Sequence, residues 1–313
     1  MTPFFSVVVT VYNKGQFVEK TIESILNQSF KDFELLIVDD GSTDNSLDVI
    51  NRIKDDRITV FSTKNQGVSA ARNYGILKAK ADFIALSDGD DIWLEQHLQE
   101  LKSLIEAHPN CGIYGASYEK HFFNTYTSSP KFQHVDPPFF GVVEDYFKTS
   151  LIDNILWTSA VAIPKKIVDA GYLFDKDLGW GEDTDLWIRI ASNFNVAFSS
   201  KVTAHKMIHS EDNHLSLTKN IPNLMGMIEK HKAAEKKNPS LKAFLDVNRF
   251  MIAMEAKLRD DSENYKTIRR DIDPKHLNFK LRLLLNMPSG LLRLLKRLKF
   301  LLLRKQLYRS PFR

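Results

Sequence analysis

Short apolar runs alternate with amphipathic segments along the first 90 residues of the chain. Four runs rich in β-branched and aromatic residues predict β-strands, at residues 5–11, 33–38, 58–61 and 83–86. Between the first three of them, apolar residues recur at the spacing of a helix face, over residues 17–26 and 47–53. This alternation is typical of βα units, in which helices cover a largely parallel sheet.

The pattern changes further along the chain. Leucines at helical spacing predict another helix over residues 94–105, and the pattern then weakens over residues 111–146. A second ordered block covers residues 155–218, and from residue 221 the sequence is polar and helical. We therefore predict an α/β fold with a mostly parallel central sheet flanked by helices, followed by a solvated helical extension at the C-terminal end.

The composition limits the cellular setting. The 313 residues are 43% hydrophobic, which is enough for a sizeable core. They include one cysteine, Cys111, which excludes an internal disulfide framework and a metal cage of thiolates, and a reducing compartment is expected. The N-terminus leads directly into a predicted strand without a basic segment or a cleavage site. We therefore expect no signal peptide and a cytoplasmic location.

The charge is unevenly distributed along the chain. The formal net charge is +4, but residues 275–313 contain eleven lysines and arginines and no aspartate or glutamate, which leaves −7 for the rest. Leucines interleave with these basic residues over 291–303, in apolar runs too short to span a bilayer. This pattern predicts an amphipathic helix on an anionic membrane, at the inner face of the cell membrane.

Other partners for the basic tail fit less well. The helix would instead pack its leucines on the rest of the chain, which is acidic, or on another protein. No recognised nucleic-acid-binding module accompanies the charge, so we expect no nucleic-acid partner.

Polar residues follow each of the four predicted strands, where ligands bind in open parallel sheets. The four segments are Thr10-Val11-Tyr12-Asn13, Asp39-Asp40-Gly41-Ser42, Asn65-Gln66-Gly67 and Asp88-Gly89-Asp90-Asp91. Each of them alone also fits ordinary turn chemistry. Neither the Gly-x-Gly-x-x-Gly nor the Gly-x-x-x-x-Gly-Lys phosphate loop occurs in the sequence, which argues against a dinucleotide enzyme and a P-loop hydrolase.

The last of these segments predicts a metal site. Asp88 and Asp90 are two residues apart at a strand end, so their carboxylates can point to the same side. Two adjacent carboxylates repel each other unless a cation joins them, and hard Mg²⁺ or Mn²⁺ prefers carboxylate and phosphate oxygens. A diphosphate bound through such a metal fits this pattern.

Five blocks of sequence resemble the family 2 glycosyltransferases, whose nucleotide-sugar domain has the GT-A fold. The blocks cover residues 6–13, 38–44, 65–73, 87–91 and 181–187, in the family's order and approximate spacing. The resemblance extends over roughly residues 4–217. It implies a GT-A catalytic domain over 1–218, with a nucleotide-binding half at 1–110 and an acceptor half at 111–218, before a helical extension at 219–313.

The resemblance also implies how a nucleotide-sugar donor would bind. Tyr12 matches the aromatic residue that stacks on the base, and Asp39 matches the carboxylate that accepts a hydrogen bond from it, which favours UDP. Asp90 matches the metal ligand, with Asp88 near the ribose or the metal, and the cofactor would be Mn²⁺ or Mg²⁺. The remaining implied contacts of the nucleotide-sugar are Asn13, Arg72, Gly89 and, less directly, Lys64.

Some of these residues have structural alternatives. Tyr12 would pack at its strand end if it did not stack on a base. Asp91 would cap the helix predicted near Leu94 if it took no direct part. Surface solvation is an alternative for Lys64.

The second half of the domain supplies a general base. Asp183 matches the family's usual base in a Glu-Asp pair, and Glu182 is next if the register is shifted. Asp185 is close to both in the sequence, and capping of the helix that carries Leu186, Trp187 and Ile190 is its expected role. A base that deprotonates the acceptor hydroxyl supports a single displacement, which inverts the anomeric configuration.

The acceptor side and one metal ligand are also implied. Trp157, Thr158 and Trp180 resemble an acceptor wall on which flat rings pack against sugars, although core packing is an alternative for both tryptophans. Among His205, His209 and His214, His209 best matches a histidine close to the diphosphate or its metal. The arginine that usually precedes it is missing.

Together, these residues predict an inverting transferase of a sugar from a nucleotide-diphosphate sugar to a hydroxyl of a glycan or lipid-linked acceptor, in bacterial surface polysaccharide synthesis. A nucleotidyltransferase is one alternative, but it would need a glycine-rich basic loop of which Tyr12-Asn13-Lys14-Gly15 supplies little. A non-catalytic scaffold that binds nucleotide-sugars is another. Intact Asp88, Asp90 and Asp183 argue against the scaffold.

Overall fold

The computed structural model of the protein describes residues 2–122, 126–209 and 221–304. Within these residues, ten strands form one sheet. The strands are β1 (Phe5–Val11), β2 (Phe33–Asp39), β3 (Ile58–Ser62), β4 (Phe83–Asp88), β5 (Ile92–Trp93), β6 (Ile113–Phe122), β7 (Tyr126–Ser128), β8 (Phe140–Val142), β9 (Val161–Pro164) and β10 (Val196–Ile208). The four strands predicted from apolar runs are confirmed as β1 to β4.

Within the described residues the sheet is mixed: its four longest strand pairings are parallel, as the sequence predicted, and its five short ones are antiparallel. Its order is β3-β2-β1-β4-β9-β6-β10-β5, with β7 beside β6 and β8 beside β10. The first four strands in this order are mutually parallel, and β10 is parallel to β6. Strand β9 lies antiparallel between β4 and β6. It therefore joins the four N-terminal strands to those of the second half of the chain.

Helices cover both faces of the sheet and continue beyond it. They are α1 (Val18–Leu26), α2 (Ser46–Arg52), α3 (Val68–Lys78), α4 (His97–Ala107), α5 (Tyr146–Thr149), α6 (Lys165–Asp169), α7 (Glu182–Ala191), α8 (Ile221–His231), α9 (Pro239–Leu258), α10 (Ser262–Arg270), α11 (Phe279–Asn286) and α12 (Ser289–Arg304). Short 3₁₀ turns occupy Thr158–Ala160 and Pro274–His276.

Strand β1 is buried on both faces along its whole length, and five of its seven residues are apolar. Val7 shares one hydrophobic cluster with Ile22 of α1, and Val8 shares the opposite cluster with Ile76 of α3. Helix α3 approaches this strand closely at Gly75, where a Cβ atom would lie only 2.4 Å from Cγ1 of Val8. The sheet position that carries the candidate site is thus held from both sides.

The helix predicted from Leu94 begins three residues later, at His97. Ile92 and Trp93 instead form β5, which pairs with β10. The residue before the helix is Gln96, so the prediction that Asp91 caps this helix is wrong.

The C-terminal extension is helical, but the prediction that it is solvated is wrong for its first part. Phe244 of α9 packs on Tyr146 and Phe147, with both ring-centroid distances at 5.9 Å. Arg249 of the same helix is fully buried and pairs with Glu235 at 2.7 Å. Helix α9 therefore contributes to the same hydrophobic cluster as the sheet.

The basic helix α12 has much less contact with the rest of the protein. Leu292 is buried, whereas Leu291, Leu294 and Leu298 are 44%, 59% and 46% exposed. Residues 305–313 of the predicted tail lie outside the described residues. Among the helices described, none combines the length and the apolar character that crossing a membrane requires.

Asp185 joins the extension to the predicted catalytic domain. Its carboxylate is fully buried and accepts hydrogen bonds from Arg189 at 2.8 Å, from Lys230 at 3.0 Å and from His231 at 2.8 Å. Helix α7 begins at Glu182, after Gly181, so Asp185 does not cap it and that expectation is wrong. Burial alone would raise the pKa of Asp185, but its partners, His231 and Arg189 first, lower it to about 2.

We expect Asp185→Asn to lower the free energy of unfolding by about 3 kcal/mol at pH 7, because it removes the buried carboxylate that pairs with Arg189 and Lys230. Asp177→Asn is the matched control, since Asp177 is exposed. Urea unfolding monitored by circular dichroism measures the difference between the two variants.

The difference should shrink as the pH falls from 3.8 towards about 2, because protonation then removes the charge of Asp185 in the wild-type protein as well. Equal stability of the two variants at pH 7 would contradict this assignment.

Candidate active site

The ends of β1, β2 and β4 meet at one edge of the sheet. The backbone N–H of Gly89 donates to Thr10 at 3.0 Å, and that of Asp40 donates to Val11 at 2.8 Å. A Cβ atom at Gly89 would lie 3.0 Å from the oxygen of Thr10 and from Cγ2 of Val11. Glycine at this position therefore lets the Asp88–Asp91 turn lie directly against β1.

Asn13 organises the loop that follows β1. It has a positive φ of 54°, and its Oδ1 accepts hydrogen bonds from the backbone N–H groups of Thr43 at 2.8 Å and Asp44 at 3.3 Å. The side chain of Asn13 thus holds two loops together. Tyr12, next to it, is 45% exposed at the mouth of this edge, where its ring is open to a planar ligand.

The two carboxylates that end β2 have different surroundings. Asp39 is buried and accepts only long hydrogen bonds, at 3.3 and 3.4 Å from Ser42 and 3.3 Å from Ser62. Asp40 accepts shorter ones from the backbone of Gln66 at 3.0 Å and Gly67 at 2.9 Å. Asp40 therefore holds the loop before α3, which also carries the exposed Lys64, while Asp39 keeps capacity for another donor.

Arg72 of α3 connects the two halves of the predicted domain. One end of its guanidinium donates to Asp88 Oδ1 and the other to Glu182 Oε1, both at 2.8 Å. The side chain is 6% exposed and its cation lies 5.1 Å from the ring centre of Phe174. A carboxylate from β4 and one from α7 are thus fixed next to each other.

This arrangement determines the ionisation of the three groups. Burial disfavours the charged guanidinium, but Asp88 and Glu182 offset that cost and raise the pKa of Arg72. Burial also disfavours an ionised Asp88, yet Arg72 lowers the pKa of that carboxyl. Burial and the neighbouring Asp183 raise the pKa of Glu182 despite Arg72.

Asp90 lies beside a lysine that the sequence analysis did not single out. The ammonium of Lys14 pairs with the carboxylate of Asp90. Three residues later, Phe17 stacks on the ring of His209, with centroids 3.7 Å apart. The backbone of Phe17 donates to Lys14 at 2.8 Å, so a single turn contacts both predicted metal ligands.

The side chain of Asp91 lies in the protein interior, away from the exposed part of this sheet edge. It accepts hydrogen bonds from Ser159 Oγ at 2.6 Å and from the backbone N–H of Met207 at 3.1 Å. Burial, together with the charges of Asp90 and Asp88, raises the pKa of Asp91 well above its ordinary value. Ser159 Oγ also accepts from the backbone of Asp88 at 3.0 Å, so this network fixes the turn rather than a ligand.

Asp183 is at the start of α7, next to the Arg72 bridge. Its Oδ1 accepts hydrogen bonds from the backbone N–H of Thr184 at 2.5 Å and from the Thr184 hydroxyl at 3.1 Å. Within the described part of the chain, no group donates to its other oxygen, Oδ2. Asp183 therefore has a free acceptor oxygen, whereas Glu182 is engaged by Arg72.

The predicted acceptor wall is mostly interior. Trp157 is 6% exposed and Thr158 is 2% exposed, while Trp180 is half-buried. Trp157 lies 4.8 Å from the ring of Tyr118, and the ammonium of Lys206 lies 5.6 Å from its ring centre. Core packing thus accounts for most of the surface of Trp157, and its acceptor role stays a prediction.

Two buried tyrosines near Asp183 escaped the sequence analysis. The hydroxyls of Tyr118 and Tyr146 donate to the oxygens of Asn154 at 3.1 and 3.0 Å. Burial raises the pKa of both phenols, and the negative charge of Asp183 adds to the rise. They come from β6 and α5, in the segment whose pattern was weak. The alternation of residues along β6 is the one signal that would have indicated Tyr118.

The structure describes one of the two other candidate histidines. His205 lies in β10 beside Glu119 rather than beside Phe17, and His214 is outside the described residues, as is the end of the predicted acceptor half, 210–218. Of the two histidines that the structure describes here, His209 and not His205 contacts the turn that carries Lys14.

Comparison with known proteins supports the family. The family model described as glycosyl transferase family 2 matches residues 6–164, about half of the chain. An uncharacterised glycosyltransferase of Rickettsia felis is 33% identical over 196 residues, or 61% of this chain and 31% of that protein. The UDP-Glc:α-D-GlcNAc-diphosphoundecaprenol β-1,3-glucosyltransferase of Escherichia coli is 31% identical over 191 residues, or 60% of this chain and 70% of that protein.

Solved structures share the fold. The Staphylococcus aureus TarS structure with UDP-GlcNAc aligns with a TM-score of 0.59 at 16% identity, over 86% of this chain and 91% of the other. A mannosyltransferase of Pyrobaculum calidifontis with GDP-Man and Mn²⁺ aligns with a TM-score of 0.58 at 15% identity, over 100% of this chain and 82% of the other. The GT-A type of fold is confirmed by these likenesses.

The chain spans only a part of several relatives, such as 31% of the Rickettsia felis protein and 44% of an uncharacterised glycosyltransferase of Haemophilus influenzae. The similarity is concentrated in the half that contains Tyr12, Asp39, Asp88 and Asp90. With the sheet, the strand-end carboxylates and the matching family model taken together, this chain belongs to glycosyl transferase family 2.

Proposed function

We propose that the protein is an inverting glycosyltransferase that moves a sugar from a UDP-sugar to a hydroxyl group of a lipid-linked glycan acceptor. The observation that carries the proposal is the Arg72 bridge, which holds Asp88 of the donor side next to the α7 start that contains Asp183. A strand-end carboxylate for the leaving diphosphate and a base for the acceptor are thereby adjacent.

The donor half supports a nucleotide-sugar. The exposed ring of Tyr12 suits stacking on a base, and the weakly bonded carboxylate of Asp39 suits an N–H donor on that base. The Escherichia coli relative uses UDP-glucose by its description, and TarS was solved with UDP-GlcNAc. The Escherichia coli relative, at 31% identity, favours UDP, although the Pyrobaculum calidifontis structure, at 15% identity, was solved with GDP-Man.

The residues at this edge also fit a divalent metal. Asp90 offers a carboxylate and Asp88 has an oxygen that Arg72 leaves unbound. His209 has a buried Nε2 for which the described residues supply no hydrogen-bond partner. A hard cation held by these groups would stabilise negative charge on the leaving diphosphate. Lys14 already neutralises Asp90, so it competes with the metal for that carboxylate.

The chain's own residues account for the other steps. The free Oδ2 of Asp183 accepts the proton of the acceptor hydroxyl as its oxygen attacks the anomeric carbon. Arg72 remains charged and keeps Asp88 and Glu182 in place, so that Asp88 stays at the donor side and the start of α7 stays beside it. Because attack and departure occur on opposite faces of the sugar, a single displacement inverts the configuration.

The basic helix supports a membrane-bound acceptor. Helices α11 and α12 expose Phe279, Leu283, Leu294 and Leu298, at 75%, 54%, 59% and 46%, beside the exposed Lys296. Exposed apolar side chains among cations match the boundary of an anionic bilayer. The lipid-linked acceptor named for the Escherichia coli relative would lie at such a surface.

We expect Asp183→Asn to reduce turnover by a factor of 10² to 10⁴, because an amide cannot accept the acceptor's proton. Binding of UDP should change less than about threefold, since the amide keeps the shape of the side chain. Turnover is measured as UDP release from UDP-glucose with a membrane extract as the acceptor source, and binding is measured by calorimetry. Asp169→Asn, an exposed carboxylate on α6, is the matched control.

If the Asp183→Asn variant kept wild-type turnover, Asp183 would not be the base. A variant that loses UDP binding together with turnover would refute the separation of donor binding from proton transfer.

We expect Leu294→Glu/Leu298→Glu to abolish sedimentation of the full-length protein with vesicles of phosphatidylcholine and phosphatidylglycerol. Two carboxylates in the apolar surface of α12 would oppose insertion among anionic headgroups. Leu77→Glu is the control, because Leu77 is 63% exposed on α3, away from the tail. Equal sedimentation of the double variant and the control would contradict a membrane role for this helix.

A further inference from the structure

Three metal-ligating side chains converge on neighbouring strands away from Asp88 and Asp90. Glu119 and His121 lie on β6, and His205 lies on β10 as the register partner of Glu119. The Glu119 Oε2 atom is 3.6 Å from His121 Nε2 and 4.0 Å from His205 Nε2. One ligand atom from each residue lies within 4.8 Å of the others.

These distances are close to those of a zinc site. Nitrogen and oxygen ligands about 2.1 Å from a tetrahedral zinc are about 3.4 Å apart. Small rotations of the three side chains would therefore bring their atoms to a common centre. The side chains are 28%, 25% and 23% exposed in the order Glu119, His121, His205, so solvent can reach a fourth position.

The surroundings favour a metal over hydrogen bonding within the cluster. The Nε2 atom of His121 is buried and has no hydrogen-bond partner among residues 2–122, 126–209 and 221–304. The rings of His121 and His205 are 4.1 Å apart at their centroids. The other ring nitrogen of His121 lies 3.4 Å from Thr127 Oγ1, and Ser129 Oγ donates to Glu119 Oε1 at 3.2 Å. Outer contacts of this kind orient histidine and carboxylate ligands.

The cluster faces away from the predicted acceptor wall. Successive residues of a strand point to opposite faces. Tyr118 lies against Trp157, and Lys206 lies over the same ring. Glu119 and His205, the next residue and the preceding one on these strands, therefore project from the other face. The cluster is distinct from the Asp88–Asp90 pair.

We propose that Glu119, His121 and His205 form a second metal site that binds zinc, with water as the fourth ligand. Two imidazoles and one carboxylate are ligands that zinc accepts and Mg²⁺ does not prefer. The metal would join the ends of β6 and β10. The backbone of β10 at Met207 also holds Asp91, so zinc would steady the strand behind the active site without entering the reaction.

The test is titration of untagged, metal-stripped, full-length protein with zinc chloride in a calorimeter. We expect tight zinc binding in the presence of excess Mg²⁺ and in the Asp90→Asn variant. The double variant His121→Ala/His205→Ala should bind zinc more than about 100-fold more weakly. Saturating zinc should raise the melting temperature of the wild-type protein and of Asp90→Asn by several degrees, and leave that of the double variant unchanged. His134→Asn, which removes an exposed histidine elsewhere, should behave as the wild type.

If the double variant does not fold, the proposal is tested by binding cobalt in place of zinc to the wild-type protein and to Asp90→Asn. The wild-type protein and Asp90→Asn should then show the visible absorption of tetrahedral cobalt with nitrogen and oxygen ligands. Zinc binding that survives His121→Ala/His205→Ala, or that is lost in Asp90→Asn, would overturn the proposal. A cobalt spectrum without tetrahedral bands would also overturn it.

Discussion

The buried Arg72 guanidinium is the interaction on which the candidate site depends. A cation that is only 6% exposed needs partners, because burying an unpaired charge costs several kcal/mol. Asp88 and Glu182 supply them from β4 and α7, which are 94 residues apart in the chain by the numbers of those two residues. The requirement to pair one charge thus sets the distance between the donor side and the proposed base. Among the described residues, no group donates to Oδ2 of Asp183, the neighbour of Glu182.

The sheet makes that pairing possible. Strand β9 runs antiparallel between β4 and β6, so the second half of the chain is joined directly to the edge where β4 ends. Ser159, just before β9, bonds to both Asp91 and the backbone of Asp88. On the far side, Asp185 links α7 to His231 of the C-terminal helices. The proposed base is therefore held by the sheet on one side and by the extension on the other.

Hydrophobic patterns within short stretches of the sequence predicted the strands that depend on neighbouring residues in the chain. The apolar residues of β1 and β4 are short-range signals, and the strands they predict are confirmed. The role of Asp185 was beyond such reasoning, because its partners Lys230 and His231 are 45 and 46 residues away. The pairing of Lys14 with Asp90 was not predicted either, because the two residues are far apart in the chain. The burial of α9 was not predicted because its charged Arg249 is paired with a distant residue, Glu235.

Charge is controlled at three places in the protein: by Arg72 between the two halves, by Lys14 on Asp90, and by the basic residues of α12. The proposed reaction is a single displacement with Asp183 as the base. The most direct measurement is the anomeric configuration of the sugar transferred from α-linked UDP-glucose, read from the proton NMR spectrum of the product. A β-linked product is predicted, and an α-linked product would contradict the claim.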